Sequence, residues 1–117
     1  MASAFVPGRG DVVWLEFTPQ AGHEQAGRRP ALVVSPREYN RRVGLALLCP
    51  IASRVKGYPF EVPLPPGLGV EGVVLADQVK SLDWRVREAR LHATVPPEVL
   101  DEVVARILPL IDPAERS

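Results

Sequence analysis

Apolar residues along this chain fall in short runs broken by Pro, Gly and charged positions, with one longer stretch of helical period near the end. Asp11 to Phe17 alternates, with Val13, Leu15 and Phe17 on one side and Val12, Trp14 and Glu16 on the other, and predicts a strand. Thr18 to Gly27 is polar and loop-like, and ten residues is long for a simple hairpin connection. Arg29 to Ser35 contains the run Ala31-Leu32-Val33-Val34 and predicts a buried strand stopped by Pro36. Arg37 to Arg42 suits a short turn of helix, and Leu45 to Ile51 a third buried strand ending at Ala52-Ser53. Phe60 to Leu64 predicts a short strand with an edge position marked by Pro63. Beyond a Pro/Gly-rich turn at 65–72, Val73 to Ala76 predicts another strand. Asp77 to Trp84 is polar and suits a helical turn, and Arg87 to Val95 predicts the last strand.

The clearest element follows. Leu100, Val103, Val104, Ile107, Leu108 and Ile111 recur at helical spacing and form one apolar face. Pro96 and Pro97 suit the first turn, Glu98, Asp101 and Glu102 favour its positive end, and Pro109 is expected to distort the last turn. Short strands with turn signals, then one packed helix, describe an α+β fold: a small antiparallel β-barrel with a C-terminal helix. The length of 117 residues fits one domain over 1–117, with no internal repeat and no linker.

Composition narrows the picture only a little. Apolar residues make up 46% of the chain and aromatic ones 6%, so Val and Leu must build the core. The first ten residues lack the apolar centre of a signal peptide, and no run reaches the roughly 20 apolar residues of a membrane helix. A cytoplasmic location away from membranes is the default expectation. The single Cys49, inside Leu47-Leu48-Cys49-Pro50, is expected to be a small buried core residue rather than a nucleophile.

Charge changes the picture more. The net charge is zero, but residues 25–60 hold seven bases and one acid, and the rest of the chain is correspondingly acidic. A basic patch on a neutral protein is enough to bind phosphates. The patch begins in Gly22-His23-Glu24-Gln25-Ala26-Gly27-Arg28-Arg29-Pro30, which sets one carboxylate shortly before two guanidinium groups at the start of a buried strand. A carboxylate and a guanidinium so placed suit a phosphodiester of RNA. The carboxylate can take the proton of the 2′-hydroxyl, and the guanidinium can hold two phosphate oxygens without losing its charge. An ordinary exposed ion pair on a loop is the plainer reading of the same residues.

Five collinear stretches carry a resemblance. They are Asp11-Val-Val-Trp14-Leu-Glu-Phe17, Glu24-Gln-Ala-Gly27-Arg-Arg29-Pro30, Ser35-Pro-x-x-Tyr39-Asn40, Lys56-Gly-Tyr-Pro-Phe-Glu61-Val and Leu75-Ala-Asp77-Gln78-Val-Lys80-Ser81. In order and near-family spacing, from about Phe5 to Ile111, the chain resembles the MazF/PemK family of toxin endoribonucleases. The resemblance implies an SH3-like barrel with a C-terminal helix, a homodimer, and cleavage of single-stranded RNA at short sequences without metal or other cofactor. It also implies a MazE-like antitoxin that neutralises the enzyme across the RNA groove. The expected products are a 2′,3′-cyclic phosphate and a free 5′-hydroxyl.

The candidate catalytic residues are therefore Glu24 as base, Arg29 as electrostatic stabiliser and Ser53 as a phosphate contact. Ser53 enters because the family usually carries Thr where this chain has Ala52; a plain strand-end residue is its other reading. His23 adjoins Glu24 as a candidate acid or a solvated loop residue, and His92 is read as structural. Gln25, Arg28, Lys56 and Lys80 are candidate RNA contacts, Gln78 and Ser81 candidate readers of base edges, and Phe17 a base stacker or a core residue. Trp14 and Trp84 are read as packing or dimer residues. Two other functions remain open on the same fold: a gyrase-poisoning toxin, whose aromatic C-terminal tip is missing from Pro113-Ala-Glu-Arg-Ser117, and a non-catalytic binding module.

Overall fold

The computed structural model describes residues 5–17 and 27–113. The described residues form seven strands and two helices: β1 (Asp11–Glu16), β2 (Arg28–Val33), α1 (Arg37–Val43), β3 (Leu45–Ala52), β4 (Glu61–Pro63), β5 (Val73–Leu75), β6 (Lys80–Asp83), β7 (Arg90–Thr94) and α2 (Pro97–Ile111), with a 3₁₀ turn at Ala76–Gln78. All pairings are antiparallel, in the order β4-β5-β3-β2-β1-β7, and β6 joins the free side of β3. Helix and antiparallel sheet agree with the α+β expectation.

The sheet is open, which corrects the expected barrel. Its end strands β4 and β7 share no ladder among the described residues. The helix takes the place of that missing ladder. Val103 and Ile107 of α2 lie in one apolar cluster with Val62 of β4, Val95 after β7, and Val12, Leu32, Cys49, Ile51 and Val74 from the strands between. Burying apolar area from both sheet ends under one helix face satisfies the core without closure. A second cluster, Val13, Leu15, Ala31, Val33, Ala46, Leu48 and Trp84, fills the other face. The expected alternation of β1 holds: Val12 enters the first cluster, while Val13 and Leu15, with Phe17 packed beside them, enter the second.

Three local departures from the sequence pattern have physical reasons. Lys80-Ser81-Leu82-Asp83 has little apolar signal and reads as a polar turn; it is the strand β6 because Leu45–Leu48 of β3 offers it an unpaired edge. β7 begins at Arg90 rather than Arg87, because Asp83 Oδ1 accepts from the N–H groups of Arg85 (3.1 Å) and Val86 (3.0 Å) and turns the chain there. In α2 the helix runs through Pro109 to Ile111, and the outer part of the periodic face, Leu108 and Ile111, stays exposed.

Two buried polar groups fix the fold near β2. Cys49 is fully buried, and its thiol is pushed up to about 12 by burial, with the Asp77 carboxylate adding to the shift; a thiolate there is out of reach near neutral pH. Asn40, also fully buried, donates to the carbonyls of Pro7 (2.8 Å) and Ser35 (3.1 Å) and accepts from Ser35 Oγ (2.5 Å). Its own carbonyl accepts from Trp84 Nε1 at 3.0 Å. Asn40→Ala strands two buried carbonyls and a hydroxyl, so we expect a loss of about 2–4 kcal/mol of stability, measured by urea unfolding with an unchanged slope. A loss below about 0.5 kcal/mol is incompatible with this network.

Candidate functional site

Pairing between β2 and β3 builds the site. Ala31 faces Pro50 across this ladder, and continuing the register toward the strand ends sets Arg29 opposite Ala52, beside Ser53. β5 closes the other side of that strand end, with Ala52 paired to Val73. The three strand ends surround an open cleft of about 660 Å³, lined by Trp14, Arg28, Arg29, Pro30, Ile51, Ala52, Ser53, Arg54 and residues 69–71. Arg29, Ser53 and Arg54 are exposed. Among the described residues lining the cleft, three guanidinium groups stand against one acid, Glu71, which favours an anion there.

The two adjacent arginines differ in what holds them. Arg28 Nη2 donates to the carbonyls of Trp14 (2.8 Å) and Glu88 (3.0 Å), and Nη1 lies 3.8 Å from Glu16 Oε2. Half-buried, it ties the strand ends to the 84–88 turn, so its hydrogen-bonding capacity goes largely to backbone. Arg87 does the same from the other side: its Nη1 donates to the carbonyls of Glu16 (3.0 Å) and Phe17 (2.7 Å). The N–H of Phe17 donates to Gly27 O at 2.7 Å, which closes the base of the β1–β2 connection. Glu24 and Gln25, with His23, belong to that connection and lie outside the described residues. Arg28 and Arg87 thus fix both roots of the segment that carries them. Sequence reading misses Arg87, since its partners are about 70 positions away in the chain.

A second cleft of about 260 Å³ adjoins the first through Ala52 and Arg54, and holds Lys56, Tyr58, Glu61, Leu75 and Gln78. Lys56 and Gln78, two expected RNA contacts from distant motifs, therefore meet in one place. Phe17, Lys80 and Ser81 line neither cleft. Phe17 is half-buried against the second core cluster, and Lys80 Nζ lies 5.5 Å from its ring centroid, a cation–π distance. Both readings of Phe17 thus keep some ground: core contact on one side, a cation beside the ring on the other.

Trp14, expected to pack or to form dimer contacts, lines the main cleft; its ring meets His92 edge-on at 6.2 Å and 77°. His92, for which the sequence offers no partner, thereby backs the cleft wall. Trp84 is buried packing, as expected. Among the described residues no group of three or more His, Cys, Asp or Glu side chains is arranged to hold a metal ion. Nor is any described helix long and apolar enough to cross a membrane.

A short open antiparallel sheet under one C-terminal helix, with a basic cleft at the ends of three strands, defines the class. The model for the PemK-like, MazF-like toxins of type II toxin–antitoxin systems matches residues 8–111, and the chain belongs to that family. It is 50% identical over 111 residues to the endoribonuclease toxin MazF of Escherichia coli strain K12, spanning 95% of this chain and 99% of that protein. Among solved structures, MazF from Deinococcus radiodurans (Form-I) superposes with a TM-score of 0.84 at 59% identity, covering 92% of this chain and 98% of the other. MazF from the same organism in a MazE-MazF crystal (Form-III) gives 0.85 at 57% identity, covering 92% and 97%.

Proposed function

We propose that the chain is an RNA-cleaving toxin, held in check by an antitoxin, whose active centre is the main cleft. The observation that carries this reading is the meeting of Arg29 and Ser53 in one electropositive cleft beside the fixed roots of the segment bearing Glu24. Family membership and relatives named as endoribonucleases support it. Solved MazE-MazF complexes of a similar toxin support the antitoxin as partner. A homodimer is compatible with those structures, and a cytoplasmic site of action follows from the substrate.

In this mechanism RNA supplies its own nucleophile. Glu24 takes the 2′-hydroxyl proton, the 2′-oxygen bonds to phosphorus, and the bond from phosphorus to the 5′-oxygen breaks. The electron pair leaves with the 5′-oxygen, which takes a proton from water, and Glu24 returns its own to solvent. Arg29 holds the phosphate oxygens as charge builds on them, and the Ser53 hydroxyl donates to the same group. Trp14 offers a ring to a neighbouring base, while Lys56, Gln78 and Arg54 receive the strand beyond.

Incubating the chain with a mixed transcript in EDTA tests the reading. Cut RNA is expected, ending in 2′,3′-cyclic phosphate and 5′-hydroxyl, read by end-specific labelling and sequencing. RNA left intact at micromolar protein, with or without added divalent metal, overturns it in favour of a binding module.

A further inference from the structure

Glu61 is a nearly buried carboxylate, 9% exposed, that shares the second cleft with Arg54 and Lys56, and the mechanism above gives it no task. Its oxygens point back along its own loop. Oε1 accepts from the backbone N–H groups of Lys56 (3.2 Å) and Gly57 (3.0 Å), and Oε2 lies 3.2 Å from the Lys56 nitrogen as well. The Glu61 N–H donates to Tyr58 O at 3.1 Å, so residues 56–61 close on themselves. Gly57 has φ +83, the left-handed conformation that turns consecutive N–H groups toward one anion. Nothing lies within 4 Å of where a Cβ on Gly57 would be, so this glycine serves backbone conformation and not space.

We propose that Glu61 is a positioning residue for RNA binding. Its carboxylate occupies the amide concavity at Lys56-Gly57 and thereby presents Arg54, Lys56 and Tyr58 along the second cleft. The inference rests on the RNA-cleaving reading above and goes beyond it, because Glu61 bonds the Lys56-Gly57 backbone and makes no hydrogen bond to Arg29 or Ser53. Removing the carboxylate frees two amides and lets the loop that carries the two cations move, while Arg29 and Ser53 keep their strand-end positions. The loss is then one of binding, equal in ground and transition states, and appears in KM rather than kcat.

The experiment uses the full chain and an RNA oligonucleotide bearing a cleavage site mapped from transcript ends, in a long form and in a form cut back to the residues beside the cleaved linkage. For Glu61→Ala we expect KM for the long RNA to rise roughly tenfold with kcat within about twofold. The short RNA should show little change. Glu61→Gln keeps a carbonyl oxygen for the two amides and should restore KM to within about threefold. Gly57→Ala, which leaves the carboxylate in place but strains the loop, should raise KM in the same direction and serves if Glu61→Ala does not fold. An unchanged KM for the long RNA in folded Glu61→Ala, or equal losses on long and short RNA, overturns the proposal. Glu61→Gln as impaired as Glu61→Ala overturns it too. Intact RNA with the unsubstituted chain instead overturns the RNA-cleaving reading beneath it.

Discussion

Arg29→Ala is expected to lower the cleavage rate at saturating RNA on the order of 100- to 1,000-fold, while stability changes by no more than about 0.5 kcal/mol. Both halves follow from where the residue sits. Arg29 is exposed at the end of β2 and lines the main cleft beside Ser53. Its truncation leaves no buried group without a partner. A phosphodiester passing through five-coordinate phosphorus gathers charge on its free oxygens, and a fixed guanidinium meets that charge with two parallel hydrogen bonds. Arg29→Lys should recover only part of the rate, because an ammonium is a point charge without the planar fork.

Arg28→Ala supplies the control one residue away. That side chain bonds the carbonyls of Trp14 and Glu88, so its loss should lower the melting temperature as well as the rate. Single-turnover cleavage with thermal melts of the three variants decides the matter. A rate for Arg29→Ala within about threefold of the parent removes Arg29 from the mechanism.

The contrast between Arg28 and Arg29 also marks how far the sequence can be read. Two adjacent arginines after a glycine look alike in one dimension. Which of them is spent on structure depends on the 84–88 turn, whose Glu88 carbonyl lies 60 positions downstream. The strands that carry the core are legible because Ala31-Leu32-Val33-Val34 and Leu45 to Ile51 announce burial directly. β6 is not, since a polar strand is made by its partner's edge rather than by its own residues. The site behaves likewise. Arg29 and Ser53 come from motif positions, and the register of β2 on β3 brings them together. Arg54, Trp14 and residues 69–71 reach the same cleft only through pairings between distant segments, for which no local pattern exists. Sheet closure escapes the sequence for a related reason: short strands before a helix suit a barrel and an open sheet equally well. What decides between them is α2 covering both ends.

The floor of the cleft leads to the second large effect, at a residue with no chemistry of its own. Gly72 lies just before β5, with φ +126, where an L side chain is strained. A Cβ there would sit 2.0 Å from the Ala52 carbonyl oxygen, 2.9 Å from its carbon and 3.0 Å from Ser53 Cα. All three are backbone atoms, so no side chain can swing aside. Gly72→Ala must therefore push the end of β3 away from β5, breaking the Ala52–Val73 pairing. Left-handed strain and overpacking each cost about 1–3 kcal/mol, so we expect roughly 3 kcal/mol or more lost, near a 10 °C fall in Tm for a chain of this size. Because Ser53 and Arg54 ride on the displaced segment, cleavage well below the new Tm should also drop, on the order of 100-fold for a shift near 1 Å. Gly67→Ala separates backbone strain from the close contact. Gly67 shares a positive φ, +93, but a methyl group added there would meet nothing within 4 Å. It should cost about 1 kcal/mol and leave the cleavage rate within about twofold. Equal rates for Gly72→Ala and Gly67→Ala at a temperature where both are folded mean that the end of β3 does not set the position of the reacting groups.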